Sequence, residues 1–88
     1  VLLDVRSPAE TGQGVIDGAV LIPLPSLSER WEELKDANEI VCYCAAGARS
    51  LQAARFLREK GLFNATSMSG GVAAWAGAGG ALVPPSGR

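Results

Sequence analysis

The chain has 88 residues, of which 48% are hydrophobic and 19% charged, and its formal net charge is −1. This composition favours one small packed domain and argues against a disordered chain. The near-neutral charge provides no basic surface for nucleic acid or anionic lipid. No stretch approaches the roughly 20 apolar residues of a membrane span. We therefore expect a single domain over residues 1–88 that binds neither nucleic acid nor membrane.

Histidine is absent, and the two cysteines occur as Cys42-Tyr43-Cys44. A four-ligand zinc site from cysteine and histidine cannot form within one chain, and histidine acid–base catalysis is excluded. The cysteine spacing differs from the Cys-x-x-Cys of dithiol oxidoreductases, and residues i and i+2 of a strand lie too far apart for easy bridging. We expect Cys42 to be a small buried hydrophobic residue. We expect no metal or cofactor, and the single reactive thiol favours a reducing, cytoplasmic compartment.

In the first half of the chain, apolar runs alternate with polar turns, and proline and glycine mark the ends of segments. In chain order they predict a strand over Val1–Val5, a capped helix start at Ser7–Glu10, a loop over Thr11–Gly14, a strand over Ala19–Ile22 and an amphipathic helix over Ser26–Leu34.

The second half continues the alternation of strand and helix. It predicts a buried strand over Ile40–Tyr43, a helix over Ser50–Lys60, a strand over Ala65–Met68, a short helix over Val72–Ala76 and an irregular tail over residues 77–88. Trp31 and Trp75 are both expected to point into the core. This pattern is typical of an α/β domain with a mainly parallel sheet.

Cys44 follows a predicted buried strand and precedes a predicted helix, which is where an open parallel sheet binds its ligands. Backbone N–H groups at such a turn and the positive end of the helix dipole favour the thiolate, which is the nucleophile. The residues that follow are small, apart from a cation at the rim: Ala45, Ala46, Gly47, Ala48 and Arg49. Gly47 can adopt the positive φ that a tight anion-binding turn often needs. We predict a reactive Cys44 activated by backbone amides and Arg49, against the alternative of an inert buried thiol.

Cysteine phosphatases resemble this arrangement but place five residues between cysteine and arginine, whereas only four separate Cys44 from Arg49. The shorter loop makes a tighter cradle, which suits a single sulfur atom better than a phosphoryl group. No well-placed general acid is evident for a leaving alkoxide, apart from carboxylates far along the chain. A phosphatase is therefore the second hypothesis.

Several ordered motifs resemble those of the single-domain rhodaneses, a family of sulfurtransferases. The Cys-x-x-Gly-x-Arg-Ser loop of that family corresponds here to Cys44–Ser50. Its other motifs correspond to Asp4-Val5-Arg6 with Pro8 and Glu10, Ile16-Asp17-Gly18-Ala19 with Ile22-Pro23, the strand end Tyr43-Cys44, and Gly70-Gly71 with Trp75. The matches run from Val1 to about Pro84.

The resemblance implies a rhodanese-like α/β fold with helices on both faces of the sheet, whose first strand, normally before Val1, is missing or incomplete. It implies that Cys44 takes a sulfur from a small-molecule donor such as thiosulfate, or from a persulfide, and passes it to a thiol, cyanide or a protein acceptor. The loop 45–49 would hold the persulfide, and Arg49 would hold an anionic donor. Asp4 and Arg6 would brace the loop region, the alternative being a surface ion pair worth roughly 0–1 kcal/mol.

Three other functions stay open. The domain could be a phosphatase or arsenate reductase, a non-catalytic binding module, or a sulfur-relay domain of a larger protein. The sequence indicates neither the physiological donor and acceptor nor the oligomeric state.

Overall fold

Four short strands form one parallel sheet at the centre of the computed structural model, which describes residues 1–85. In chain order they are β1 (Leu2–Asp4), β2 (Val20–Leu21), β3 (Ile40–Tyr43) and β4 (Ala65–Ser67). The order across the sheet is β2-β1-β3-β4, so the two central strands are β1 and β3. The α/β prediction with a parallel sheet is confirmed. β1, β2 and β4 each end one residue earlier than predicted, although the next residues, Val5, Ile22 and Met68, still donate their N–H groups to the neighbouring strand.

Within the described residues, four α-helices connect and flank the strands: α1 (Pro8–Thr11), α2 (Leu27–Arg30), α3 (Ala48–Glu59) and α4 (Gly71–Gly77). The predicted helix over Ser26–Leu34 is α2 extended at both ends by 3-10 turns, because Arg30 interrupts the α-helical ladder with a φ of −119°. α3 begins two residues earlier than predicted. None of the helices within residues 1–85 combines the length and the apolar character needed to cross a bilayer.

Two hydrophobic clusters cover the two faces of the sheet. Alternating side chains of β3 separate them: Ile40 and Cys42 belong to one cluster and Tyr43 to the other. The first cluster packs against α2 and α3 and contains buried residues such as Leu3, Leu27, Ala53, Ala54 and Leu57. The second is closed by Val72 of α4 and by the segment that holds Ile16 and Ala19. Helices therefore cover both faces, and Cys42 is fully buried as predicted.

The prediction that Trp75 points into the core is wrong. The Trp75 side chain is 37% exposed, and its indole N–H donates to the carbonyl of Ala81 at 2.9 Å. Its ring lies against Gly80, so the indole is covered by the chain that follows α4. Trp31 does pack against the first cluster, where it is half-buried. Beyond α4, Val83 pairs with Val15 in an isolated antiparallel bridge, and the last part of the expected tail, residues 86–88, lies outside the described residues.

The start of α4 is joined to the loop that follows β3. The N–H of Val72 donates to the carbonyl of Cys44 at 2.8 Å, and the N–H of Ala73 donates to that of Ala45 at 3.0 Å. These N–H groups have no partner within their own helix, so the loop carbonyls satisfy them. Gly71 permits this approach: it has a φ of +56°, and a Cβ there would overlap the Cys44 carbonyl oxygen and lie 2.8 Å from the Ala45 carbonyl.

We expect Gly71→Ala to lower the free energy of unfolding by at least about 2 kcal/mol, because it combines a strained backbone conformation with a collision against the loop. Denaturant unfolding followed by circular dichroism measures this loss. The matched control is Gly77→Ala at the other end of α4, where an added Cβ meets no heavy atom within 4 Å and we expect little change. Equal stability of the two variants would contradict the contact.

Candidate active site

Cys44 lies directly beyond the carboxyl end of β3, at the base of the loop that leads into α3. The N–H of Gly47 donates to its Sγ at 3.0 Å. Gly47 has a φ of +114°, and this left-handed conformation turns the chain from the loop into α3. Cys44 is only 1% exposed, whereas Ala46 and Ala48 of the loop above it are exposed. A reactant therefore has to reach the sulfur past the rim of the loop.

The environment of the Cys44 thiol lowers its pKa below the usual range. Burial acts in the opposite direction and is the largest single influence. The hydrogen bond with the Ser50 hydroxyl and those from the backbone N–H groups of Ser50, Gly47 and Ala46 outweigh it. For Cys42 burial is the main influence, and it raises the pKa of the thiol to about 11. The two thiols thus differ because one has polar donors around it and the other has apolar side chains.

Two buried or half-buried hydroxyls lie behind the Cys44 sulfur. The Oγ of Ser50, in the first turn of α3, is 3.5 Å from Cys44 Sγ and 3.1 Å from the carbonyl oxygen of Gly47. It is also 2.7 Å from the Oγ of Ser67 at the end of β4. A hydroxyl has one proton to donate. If that proton turns to a thiolate at Cys44, the Ser50 oxygen still accepts one from Ser67.

Arg49 is not free at the rim, because Glu10 of α1 binds its guanidinium with both carboxylate oxygens, at 2.6 and 2.8 Å. Both side chains are about a third exposed, 35% and 34%. Ser7 fixes the carboxylate further through its N–H and its hydroxyl, each at 3.0 Å. The hydrogen bonds from Arg49, followed by that from the Ser7 backbone, lower the pKa of Glu10 to about 2.

Asp4 and Arg6 form a buried ion pair at the end of β1, not a surface one. Arg6 Nη2 is 2.8 Å from the Asp4 carboxylate and also donates to the carbonyl of Gly14 at 2.7 Å. Asp4 is in register with Tyr43 of β3, and the Arg6 guanidinium lies over the Tyr43 ring. The Tyr43 hydroxyl accepts from the N–H of Ile16, and burial, followed by Asp4, raises its pKa to about 12. The pair therefore holds the segment 14–16 and the residue directly before Cys44.

Of the residues proposed from the sequence, Cys44 and the loop 45–49 come together at one end of the sheet, and Asp4 and Arg6 lie on the adjacent strand. Sequence reasoning missed the parts played by Ser50, Ser67 and Tyr43, and it missed the partner of Arg49. The sequence does contain a signal for Glu10, the partner of Arg49. Ser7 and Glu10 have the spacing of a capping box, and the structure contains both hydrogen bonds of that box. Nothing in the local sequence links Ser67 to Cys44, since 22 residues separate them.

Comparison with known proteins agrees with this fold and loop, which define an α/β domain built around a cysteine cradle. The profile of the Rhodanese-like domain family matches residues 1–78, and the chain belongs to that family. A protein of Allochromatium vinosum named "Sulfurtransferase" is 38% identical over 87 residues, covering 99% of this chain and 81% of the relative. The "Putative sulfurtransferase YtwF" of Bacillus subtilis is 37% identical, covering 86% and 73%. The crystal structure of a rhodanese-related protein from Thermoplasma volcanium superposes with a TM-score of 0.87 at 36% identity, covering 93% and 81%.

The hydroxyl pair allows a direct test of how the thiolate is stabilised. We expect Ser50→Ala to raise the Cys44 pKa by about one pH unit, since a hydrogen bond to a charged group contributes roughly 1.5–3 kcal/mol. Ser67→Ala should raise it by less, because it acts only through the Ser50 oxygen. The rate of alkylation by iodoacetamide, followed against pH, reports the pKa. Thr66→Ala on the same strand, at an exposed position, is the control. If the alkylation rate of Ser50→Ala depends on pH as that of the wild-type protein does, the Ser50 hydroxyl does not stabilise the thiolate.

Proposed function

We propose that this domain is a sulfurtransferase in which Cys44 carries the transferred sulfur as a persulfide. The single observation that carries the proposal is the hydrogen bond from the Gly47 N–H to Cys44 Sγ, in a setting that lowers the thiol pKa. A thiolate present near neutral pH attacks sulfane sulfur without a histidine base, and the chain contains no histidine.

In the first half-reaction, the Cys44 thiolate attacks the outer sulfur of thiosulfate or of a persulfide. A bond forms between the Cys44 sulfur and that outer sulfur. The bond that held the outer sulfur in the donor breaks, and its electron pair leaves with sulfite or with a thiolate. Cys44 then carries a terminal sulfur anion, which the N–H groups of the loop 45–49 stabilise as preorganised dipoles.

In the second half-reaction, the terminal sulfur leaves Cys44 for a thiophilic acceptor, which is cyanide, a small thiol or a protein thiol. The acceptor forms a bond to that sulfur, and the electron pair of the broken bond restores the Cys44 thiolate. The two steps share one covalent intermediate, so the kinetics should be of the ping-pong type.

The other predicted residues have supporting roles in this proposal. Arg49 lies at the rim of the loop, where Glu10 compensates its charge, and the groups that lower the Cys44 pKa are the backbone N–H groups and Ser50. Asp4 and Arg6 act as positioning residues: their ion pair and the Tyr43 ring hold the end of β3 and the segment at Gly14 in place. The names of relatives that are more than a third identical over most of the chain support sulfur transfer of the rhodanese type.

The remaining alternatives lead to different expectations. A phosphatase or arsenate reductase would need the arginine next to its oxyanion, and here Glu10 binds Arg49 with both oxygens. A non-catalytic module would have a Cys44 pKa near the ordinary value. A relay domain within a larger protein uses the same chemistry with a protein acceptor and is included in the proposal.

Mass spectrometry of the intact protein tests the proposal. After incubation with thiosulfate or glutathione persulfide and removal of the donor, we expect the mass to increase by one sulfur atom and to return to its original value on addition of cyanide. Cys44→Ser should gain no sulfur. Cys42→Ala, which alters the buried neighbouring cysteine, is the control and should still gain it. If neither donor adds sulfur to the wild-type chain, the proposed function is wrong.

A further inference from the structure

We propose that Glu10 neutralises Arg49 at the mouth of the Cys44 loop, and that the site therefore selects thiol persulfides over the dianion thiosulfate as sulfur donors. This inference rests on the proposed function and narrows its donor to one chemical class. It makes Glu10, which lies outside the cysteine loop, the residue that determines donor specificity.

Few basic side chains lie near the mouth of the Cys44 loop. Arg49 is the only basic residue of the loop 45–49, whose other side chains are methyl groups or hydrogen. Arg6, the basic residue at the end of the adjacent strand, is buried against Asp4. Along α3, the next basic residue is Arg55, six residues or about 9 Å further along the helix axis. Among the described residues of this loop, of the β1 end and of the first turn of α3, Arg49 is therefore the one that can offer a donor a partly exposed positive charge.

The positive charge of Arg49 is already compensated by Glu10. Glu10 binds the guanidinium through two parallel hydrogen bonds, the geometry in which arginine and carboxylate interact most strongly. Because the Glu10 pKa is about 2, the carboxylate stays charged throughout the neutral range. Ser7 and the turn of α1 hold it in place through the capping box. The ion pair is thus a fixed part of the rim and not a chance contact of two mobile side chains.

The two classes of sulfur donor differ in the negative charge that they bring to the site. Thiosulfate carries two negative charges and must bring them to a sulfur that is itself negative. With Arg49 paired, only the partial charges of backbone N–H groups offset this repulsion. A thiol persulfide brings at most one negative charge on the sulfur that is transferred, and its organic part can rest on the exposed methyl groups of Ala46 and Ala48. The structure thus disfavours the dianion and tolerates the persulfide.

Arg49 is close enough to act if it were released. Its own pKa is raised by Glu10 first, and the Cys44 thiol also contributes in the same direction. Breaking the pair while retaining the cation should therefore convert the rim into a binding site for anions. Glu10→Gln does this with little disturbance, because glutamine can also serve as the third residue of a capping box.

The experiment compares kcat/KM for thiosulfate and for the persulfide of 2-mercaptoethanol, whose organic part is uncharged, with cyanide as acceptor. We expect the wild-type protein to favour the persulfide. We expect Glu10→Gln to raise the thiosulfate-to-persulfide ratio by about tenfold, and less at high salt. The double variant E10Q/R49M should lose that gain, since it lacks the released cation. Glu33→Gln is the matched control, because it breaks the other two-pronged arginine–glutamate pair, with Arg30.

An unchanged ratio in Glu10→Gln, or wild-type kcat/KM for thiosulfate equal to that for the persulfide, would overturn the inference while leaving sulfur transfer intact. Failure of both donors would instead refute the proposed function. A measurement on the wild-type protein alone adds a second criterion that needs no variant. If Arg49 attracted thiosulfate in the wild-type protein, the kcat/KM for thiosulfate would fall steeply as the ionic strength rises. Such a fall would also overturn the inference.

Discussion

The hydrogen bonds between the start of α4 and the loop after β3 determine which way the loop's peptide groups face. A trans peptide directs its C=O and its N–H to opposite sides. The carbonyl of Ala45 accepts from Ala73, so the N–H of the same peptide, that of Ala46, faces the other way, toward the Cys44 sulfur. The geometry of the thiol site therefore depends on a helix that is remote in sequence and contributes no side chain to the chemistry. Gly71 allows α4 to come this close.

This arrangement explains how a nearly buried cysteine acquires a lowered pKa. Burial by itself raises the pKa of a thiol, as it does for Cys42 two residues earlier on the same face of the strand. At Cys44 the chain has left the strand, and backbone N–H groups together with the Ser50 hydroxyl replace the water that burial removes. Dipoles fixed by the fold need no reorganisation when the charge appears on sulfur, which is why they can take the place of an imidazole base.

Charge at the rim is controlled separately from charge on the sulfur. The backbone and Ser50 act on Cys44 from below, whereas Glu10 and Arg49 form their pair at the half-exposed edge. On the proposed function, such a site would keep its nucleophile ionised and would still discriminate among sulfur donors by the charge they carry. The loop and α3 stabilise the charge on the sulfur, whereas α1 sets the charge at the rim through Glu10.

Much of the fold follows from local sequence. The apolar run at Ile40–Tyr43, the glycine at position 47 and the helical spacing after Ser50 predicted the strand, the turn and the helix that place Cys44. The limits of prediction are equally specific. Trp75 has the spacing of a core residue, but the chain after α4 folds back to cover its ring, and local periodicity contains no information about that contact. The Ser50–Ser67 contact and the Arg49–Glu10 pair also join distant segments, so they become visible only when the sheet order is known.

Titration of the Cys44 thiolate by its ultraviolet absorbance tests directly whether the loop lowers the pKa of this thiol, and Cys42→Ala serves as the background so that one thiol is observed. We expect an inflection clearly below the pKa of about 8.5 of an unperturbed cysteine, and we expect it to be lost when Cys44 is also replaced by serine. An inflection at or above that value would mean that burial outweighs the loop's hydrogen bonds and that Cys44 is not a stabilised thiolate.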